Sequence, residues 1–198
     1  MPKDALRYAG LAFMGGPMSV NDELPWIIPA LALIADAARK DVPVLGHCLG
    51  GQLMAKAFGG AVRASTVKEI GWGEVRVTAN GVAREWLGPL ESFEAFHWHG
   101  ETFSIPPGGT RVLENERCAN QGFALGKHLG MQCHVEMTED LVRDWLRGGA
   151  AEIDRSRDSP AVQRPEQIER ELARRLDALH AVADRIYDHW IEGLSRGS

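Results

Sequence analysis

The sequence predicts a three-layer α/β/α domain with a mainly parallel central sheet and a β-rich extension. Over roughly the first 60 residues, short apolar segments alternate with helical ones, a pattern typical of parallel strands that helices cover on both faces. From about residue 74, polar and apolar side chains alternate instead, as they do in half-exposed strands. The 198 residues suffice for one core, so a single domain over residues 1–198 is expected.

The first half of the chain is predicted to contain two strands and two helices. Residues 8–14 form a short strand that leads into a glycine loop, and residues 29–40 form a helix with proline in its first turn. Residues 42–45 are apolar without polar alternation, which predicts a parallel strand buried on both faces. The second helix follows this strand and ends at Gly59-Gly60, because glycine is common just beyond helix C-termini.

The second half is predicted to continue with strands and to finish with two helices. Strands are expected at residues 74–78, 111–114, 122–125 and 129–134, with a turn at residues 126–128. Thr138 can cap a helix over about residues 138–148, which Gly148-Gly149 would end. A surface linker over residues 153–164 precedes a helix over about residues 165–194. Its apolar stripe is expected to pack on the chain's own sheet rather than on a second copy.

Cys48 is the most informative residue of the sequence. It lies in Gly-His-Cys-Leu-Gly-Gly-Gln, residues 46–52, between a predicted strand and a predicted helix. A sharp strand-to-helix turn needs small residues on both sides, and Gly46 and Gly50 supply them. The helix aims unpaired N–H groups and its positive dipole end at the thiol, which favours the thiolate. The segment therefore predicts a nucleophile elbow with sulfur as the nucleophile, rather than an ordinary buried cysteine.

A cysteine nucleophile needs a base, and His134 with Glu136 offers one. An apolar segment leads to His134, and the carboxylate follows two residues later. The imidazole can take a proton while the carboxylate fixes its tautomer and stabilises its charged form. Without the elbow, a histidine near a glutamate is more often a structural hydrogen bond, so this prediction depends on Cys48.

Composition argues against several other classes of protein. A net charge of −5 disfavours nucleic acid as a partner, since phosphate binding needs a basic face. No apolar stretch approaches the roughly 20 residues of a membrane span, and the N-terminus lacks the pattern of a signal peptide. Three cysteines without an export signal favour a reducing compartment, so a cytoplasmic protein is expected.

Two histidines raise the question of a metal. His97 and His99 could bind an ion from one face of a strand, with Cys118 or His134 as a further ligand. The sequence has neither the paired spacing of a zinc ribbon nor an HExxH helix. It therefore favours no metal and no cofactor.

Three segments, in this order, resemble the signatures of class I glutamine amidotransferases. They are Gly-Gly-Pro-Met-Ser-Val at residues 15–20, Gly-x-Cys-x-Gly-x-Gln at residues 46–52 and Gly-x-Gln-x-His-x-Glu at residues 130–136. Three motifs in the same order along the chain are far more specific than one. The resemblance covers about residues 8–145. It is nearest to the glutaminase domain of GMP synthase and its stand-alone relatives, and it implies a flavodoxin-like sheet.

The resemblance implies a role for each motif. Cys48 would attack the carboxamide of glutamine to give a γ-glutamyl thioester and ammonia, with His134 shuttling protons and Glu136 orienting His134. The backbone N–H groups of Gly16 and Leu49 would form the oxyanion hole. The residues expected to bind the substrate are Gly15, Gln52, His99 and Gly100.

The chain departs from the family pattern in three places. Only 14 residues precede Gly15, where relatives have a longer stretch, so an absent N-terminal βα unit and an uncovered part of the sheet are expected. Val135 follows His134 in place of a proline, which should alter the turn that presents Glu136. Cys133 takes a commonly aromatic position, as a buried spacer or as a redox-sensitive thiol.

The sequence leaves three functions open. It lacks a phosphate-binding loop for ATP, so the chain alone could not activate an acceptor for amination. We therefore expect hydrolysis of glutamine, with the ammonia available to a synthetase partner on another chain. A stand-alone γ-glutamyl hydrolase or peptidase with the same thioester chemistry is the alternative, and a non-catalytic interaction domain is the third hypothesis. The sequence also leaves the acceptor and a homo-oligomer open.

Overall fold

One sheet of eight strands organises residues 1–194, which are the residues that the computed structural model describes. The strands are β1 (Leu11–Phe13), β2 (Val44–His47), β3 (Val62–Val77), β4 (Ser92–Phe103), β5 (Thr110–Glu114), β6 (Gly122–Leu125), β7 (His128–Met131) and β8 (Ala161–Val162). They lie side by side in the order β1-β2-β7-β6-β5-β3-β4, and β8 pairs with β3 outside this path.

Helices cover both faces of this sheet. They are α1 (Ile27–Arg39), α2 (Leu49–Ala57), α3 (Gly81–Leu87), α4 (Glu139–Arg155), α5 (Pro165–Ile168) and α6 (Leu172–Glu192), preceded by a 3₁₀ turn at Ala5–Arg7. Val44 of β2 belongs to one apolar cluster with Ile34 of α1, whereas its neighbour Leu45 belongs to a second cluster with Ile186 of α6. Both faces of β2 are therefore buried, which confirms the predicted α/β/α layering. Among the described helices, none is both long enough and apolar enough to cross a bilayer.

The parallel pairing of β1, β2 and β7 positions the three sequence motifs. Phe13 lies opposite Gly46, and His47 lies opposite Met131. All three strands therefore end at the same edge of the sheet, and each motif continues from one of these ends. The strands from β3 to β6 pair antiparallel with one another and with β7, and they form the predicted β-rich extension.

The long antiparallel pair of β3 and β4 is the largest difference from the predicted elements. The sequence predicted only residues 74–78 of β3. It considered His97 and His99 on a strand without giving that strand's bounds, and it missed α3. Strand preference depends on cross-strand neighbours rather than on local pattern alone. Trp72 and Phe96, for example, pack edge to face across the pair with ring centroids 5.2 Å apart. Helix α3 has seven residues, too few for a clear helical period.

Helix α4 continues through the glycine pair at which it was predicted to end. A Cβ atom on Gly149 would lie 2.2 Å from Cζ2 of Trp98, whereas one on Gly148 would meet nothing within 4 Å. Gly149 thus allows close contact between α4 and Trp98, and the helix reaches Arg155. The prediction that glycine ends this helix is wrong, because the glycine serves packing.

The predicted C-terminal helix is two helices. Glu171 adopts a left-handed conformation with φ of 56°, and it separates α5 from α6. The preceding segment is also more ordered than a linker, since Val162 of β8 pairs with Ile70 of β3. Within α6, Leu176, Leu179 and Ile186 are buried in the sheet's own apolar cluster, as the predicted stripe requires.

Strand β1 is an edge strand in the part of the chain that the structure describes. Its sequence neighbours Leu6, Tyr8 and Met14 are 64%, 42% and 50% exposed. Apolar side chains near this edge are therefore in contact with solvent, while the absent N-terminal βα unit stays a prediction.

Candidate active site

Cys48 lies at a strained turn between β2 and α2. Its backbone has φ of 50° and ψ of −106°, a conformation that costs a non-glycine residue about 1–3 kcal/mol. The N–H of Cys48 donates to the carbonyl of Met131 at 2.8 Å, and the N–H of Gln52 donates to the carbonyl of Cys48 at 3.0 Å. These bonds hold the thiol at the N-terminus of α2, as a nucleophile elbow requires.

The glycines beside Cys48 allow three chain segments to approach each other. A Cβ atom on Gly46 would lie 2.5 Å from the carbonyl carbon of Gly50. One on Gly50 would lie 2.0 Å from the carbonyl oxygen of Phe13. Neither position has room for a side chain, because the obstructing atoms belong to the backbone.

His134 follows β7 and is buried against Glu136. Its Nδ1 atom lies 2.6 Å from Oε1 of Glu136. The N–H of His134 donates to the carbonyl of Phe96 at 2.8 Å, and the N–H of Phe96 donates to the carbonyl of His134 at 3.2 Å. Trp145 packs edge-on against the imidazole, with ring centroids 4.9 Å apart. The pair is thus held in place, with the buried residue Val135 between its two members.

Each member of this pair shifts the pKa of the other toward its charged form. Burial disfavours the imidazolium, but Glu136 and the Cys48 thiol outweigh burial and raise the pKa of His134 to about 10. Burial also disfavours the carboxylate, but His134 outweighs it and lowers the pKa of Glu136 to about 2. At neutral pH the pair is an imidazolium and a carboxylate.

Cys48 and His134 meet beside the glycine loop that follows β1. A Cβ atom on Gly15 would lie 2.8 Å from Cε1 of His134 and 3.7 Å from Cβ of Cys48. Within residues 1–194, Nε2 of His134 is buried and has no geometrically aligned hydrogen-bond partner. This nitrogen is therefore the atom that can exchange a proton at the thiol or at a bound substrate.

A cavity of about 580 Å³ opens onto these groups. Glu136 lies behind His134, and Leu49 contributes its backbone at the first turn of α2. The other seven residues predicted for the site line the cavity: Gly15, Gly16, Cys48, Gln52, His99, Gly100 and His134. The structure thus brings together residues that are far apart in the sequence.

Two of the lining side chains are fixed by the same backbone carbonyl. The Nε2 of Gln52 donates to the carbonyl of Glu101 at 3.4 Å and to Oε1 of Gln132 at 3.2 Å. The Nδ1 of His99 lies 3.1 Å from that carbonyl. Gln132 in turn directs its Nε2 toward Sγ of Cys48 at 3.5 Å. Gln132 was part of the sequence motif but was not predicted to contact the thiol.

The N–H groups of Gly16 and Leu49 have no hydrogen-bond partner in the described part of the chain. Leu49 is the first residue of α2, where a helix leaves its N–H groups unpaired. A Cβ atom on Gly16 would lie 3.0 Å from Cδ2 of Leu49, so the glycine loop passes close to the helix start. Two free donors at this point match the requirement of an oxyanion hole.

The sequence did not reveal the outer wall of the cavity. Trp98 of β4 and Trp145 of α4 line it together with Lys68 and Glu152. The Nε1 of Trp98 donates to Oε2 of Glu152 at 2.9 Å, and Lys68 forms an ion pair with the same carboxylate. These residues come from three separate elements, and no local motif marks them.

The sequence also assigned no role to His47, which lies behind Glu136. Its Nδ1 atom is 3.1 Å from Oε2 of Glu136, although the two atoms lack the alignment of a hydrogen bond. Its Nε2 atom is 3.3 Å from the hydroxyl of Tyr187. Burial lowers the pKa of His47 despite the nearby carboxylate, so the ring is neutral at pH 7. A histidine in an otherwise apolar strand is the one signal that could have found it.

The two other cysteines lie outside the cavity lining. Cys133 and Cys118 are buried, and burial raises the pKa of both thiols. A buried, protonated thiol is poorly reactive. Cys133 therefore fits the role of a spacer better than that of a redox-sensitive group.

Comparison with known proteins decides the family. Residues 2–144 match the family described as glutamine amidotransferase class-I. The chain belongs to the class I glutamine amidotransferase family. This match confirms the resemblance that the three motifs carry.

Two related proteins and one related crystal structure illustrate what this chain is similar to. The glutamine amidotransferase-like protein YfeJ of Salmonella typhimurium is 30% identical over 160 residues, 77% of this chain and 67% of that protein. A glutamine-hydrolyzing GMP synthase subunit of Sulfurisphaera tokodaii is 34% identical over 140 residues, 69% of this chain and 72% of that protein. A crystal structure of a glutamine amido transferase from Methylobacillus flagellatus matches with a TM-score of 0.97 and 45% identity, covering 100% of this chain and 82% of that one.

Proposed function

We propose that this class I glutamine amidotransferase hydrolyses the side-chain amide of glutamine through a thioester on Cys48. The observation that carries the proposal is the elbow thiol, which shares one cavity with His134 and its partner Glu136. A nucleophile, a base and an orienting carboxylate are the groups that acyl transfer requires. Glu136 is a positioning residue in this scheme, because it acts through His134.

The reaction has two steps. The Cys48 thiolate attacks the carboxamide carbon, His134 gives its proton to the leaving nitrogen, and ammonia departs as the γ-glutamyl thioester forms. His134 then takes a proton from water, which attacks the thioester carbonyl, and glutamate leaves as the thiolate is regenerated. The tetrahedral oxyanion of each step would accept hydrogen bonds from the free N–H groups of Gly16 and Leu49.

The substrate amino acid is proposed to lie between the glycine loop and β4. Gly15 leaves the space in which the carboxamide reaches Cys48 and His134. Gln52, His99 and Gly100 form the facing wall. The polar side chains of this wall already have partners within the protein, so the substrate meets a preorganised surface.

The ammonia is proposed to pass to a synthetase on another chain. The Sulfurisphaera tokodaii relative is itself named as one glutamine-hydrolyzing subunit of GMP synthase. The described residues offer no phosphate-binding loop that would activate an acceptor. A homo-oligomer is compatible with the same role, and the reaction needs no metal or cofactor.

A γ-glutamyl peptide is the second candidate substrate, and the size of the cavity favours it. Ligand cavities of about 300–1,000 Å³ are typical of drug-sized molecules, and 580 Å³ is ample for glutamine. The part lined by Trp98 and Trp145 could hold the group attached to the γ-nitrogen. The hypothesis of a non-catalytic domain is not favoured, because the site retains its nucleophile, base and carboxylate.

The proposal is tested by measuring ammonia release and peptide cleavage by the wild type, by Cys48→Ala and by the control variant Cys118→Ala. With glutamine, the wild type should release ammonia and Cys48→Ala should lose about three orders of magnitude or more of this rate. Cys118→Ala, which removes a cysteine outside the cavity, should retain it. Cleavage of γ-glutamyl peptides without activity on glutamine would replace the first proposal by the second. Activity that persists in Cys48→Ala would refute both.

A further inference from the structure

A second cluster of ionisable side chains lies on the strands behind the cavity wall. Glu69 of β3 pairs with His99 of β4, and Gly71, two residues further along β3, pairs with His97. The two histidines are two positions apart and so project from the same face of β4. One potential ligand atom from each of Glu69, His97 and His99 lies within 4.8 Å of the others, and all three residues are buried.

The hydrogen bonds around His99 leave a lone pair facing a carboxylate. Nδ1 of His99 lies 3.1 Å from the carbonyl of Glu101, an acceptor that requires a proton on this nitrogen. In the neutral ring, Nε2 then carries a lone pair, and it lies 3.1 Å from Oε2 of Glu69. Two acceptors at that distance repel each other unless a proton or a cation lies between them.

His97 adds two further atoms without partners. Its side chain is 1% exposed, and within residues 1–194 neither ring nitrogen has an aligned hydrogen-bond partner. A buried polar atom left unpaired is unfavourable, because it has lost its hydrogen bonds to water without replacement. One nitrogen of His97 and one of His99 lie close to the carboxylate of Glu69, and Nε2 of His99 has no aligned partner. A proton between Glu69 and His99 would satisfy one of them, whereas a cation would satisfy one nitrogen of each ring.

The carboxylate of Glu69 is held for ligation by neighbouring amides. Nδ2 of Asn115 donates to Oε1 at 2.7 Å, and Nε2 of Gln121 donates to Oε2 at 3.0 Å. Carboxylates and imidazoles that bind metals are characteristically oriented by such secondary hydrogen bonds, including a backbone carbonyl on the second imidazole nitrogen. Glu69 and His99 both meet this description.

We propose that Glu69, His97 and His99 bind a divalent cation of the zinc type. Two imidazoles and one carboxylate are a ligand set that zinc accepts in tetrahedral geometry. With bonds of about 2.0–2.2 Å, tetrahedral ligand atoms lie about 3.3 Å apart, close to the 3.1 Å that separates His99 from Glu69. The sequence had paired the histidines with Cys118 or His134 and favoured no metal. It did not single out Glu69, which is 28 residues from His97 and is joined to it only by the strand register.

The proposed cation lies between two cavities. Glu69 and His97 line a cavity of about 280 Å³, which leaves a fourth coordination position to water or a small anion. His99 lines the cavity of the candidate active site. The cation would therefore fix the position of a substrate-side residue without contacting Cys48. Cation binding itself does not depend on the proposed glutaminase activity.

Cobalt titration of the purified protein, first treated with a chelator, tests the site. Co²⁺ replaces zinc in such sites and reports its ligands through visible absorption. The wild type and Cys48→Ala should each bind one Co²⁺ with the same spectrum and without a thiolate-to-cobalt band. An absence of stoichiometric binding by the wild type would overturn the proposal. So would a spectrum that disappears in Cys48→Ala, because it would place the ion at the candidate active site.

Three substitutions locate the ion. Glu69→Gln and His97→Phe should weaken Co²⁺ binding at least about tenfold to hundredfold. His189 is a partly exposed histidine on α6, and the control variant His189→Gln should bind Co²⁺ like the wild type. His97→Phe replaces the unpaired ring by an apolar one of similar shape, so it should fold without metal. Zn²⁺ should raise the melting temperature of the wild type but not that of His97→Phe. Unchanged binding in both Glu69→Gln and His97→Phe would refute the assignment.

Discussion

His134 and Glu136 hold opposite charges in a buried site, and this pair determines how the site responds to pH. The pKa of His134 is raised from 6.5 to about 10, so its contribution to folding is complete below pH 6.5 and is lost as the pH rises through about 10. The pKa of Glu136 is lowered from 4.5 to about 2. Its contribution is present above pH 4.5 and is lost as the pH falls through about 2.

Glu136→Gln should therefore destabilise the protein in a pH-dependent way. The difference in unfolding free energy from the wild type should be largest between pH 4.5 and pH 6.5 and should shrink as the pH passes about 10. Urea unfolding at a series of pH values measures this difference. Glu85→Gln, an exposed substitution on α3, should change stability by less than about 0.5 kcal/mol at each pH. A constant difference between Glu136→Gln and the wild type from pH 6.5 to beyond pH 10 would contradict the charge assignment.

His47 is predicted to be a positioning residue for the same carboxylate. His47→Leu removes the ring 3.1 Å from Oε2 of Glu136, a ring whose protonated form, present at low pH, lowers the pKa of Glu136. We expect kcat for glutamine hydrolysis to fall about tenfold with little change in KM, less than the 10²–10⁴-fold loss typical of a missing general base. The acid limb of the pH–rate profile should move to higher pH. Tyr187→Phe, which alters only the far side of His47, should have a smaller effect. An unchanged kcat and acid limb would show that His47 is a core residue without influence on the site.

At the scale of elements, glycines determine how closely helices approach the site. Gly46 and Gly50 allow α2 to start directly against β1 and β2, and Gly149 allows α4 to lie against Trp98. The sequence identified the first two correctly, because they flank a cysteine in an elbow motif. It misassigned Gly149, because glycine near a helix end is also a stop signal and no local pattern shows that an indole lies opposite.

Two adjacent alanine substitutions separate these two roles of glycine. Gly149→Ala should destabilise the protein by about 1–3 kcal/mol, because the added Cβ overpacks against Trp98. Gly148→Ala should stabilise it by about 0.5–1 kcal/mol, since the position is open and alanine favours the helix. Denaturant unfolding of both variants checks the prediction. Equal effects of the two substitutions would contradict the packing assignment and favour a helix end at this pair.

At the scale of the whole molecule, the sheet order joins motifs that lie far apart in the sequence. Strand β7 returns from the antiparallel extension to pair with β2, and this return brings His134 to the end of the strand that precedes Cys48. The sequence predicted this meeting because each motif follows an apolar strand-like segment. It could not predict Glu69, His47 or Trp145 as neighbours of the site, since their positions depend on strand register and helix packing rather than on local pattern.

The same reasoning explains which part of the fold was predictable. The layering and the α1–β2–α2 unit follow from apolar runs, from a proline in the first turn of a helix and from glycines at the ends of the elements. The pair of β3 and β4 was largely missed. Which of its residues are buried depends on packing against the partner strand, so the sequence of each strand alone does not show a clear alternation. The candidate metal ligands lie on this pair, so they remained hidden for the same reason.

Labelling by an electrophilic glutamine analogue tests the central claim most directly. The wild-type protein would be incubated with the analogue, and the modified peptide would be identified by mass spectrometry. We predict one adduct per chain, on Cys48, that glutamine suppresses by competition and that is absent in Cys48→Ala. A folded wild-type protein that stays unlabelled, or that is labelled equally at Cys118 or Cys133, would contradict the assignment of Cys48 as the glutamine-directed nucleophile.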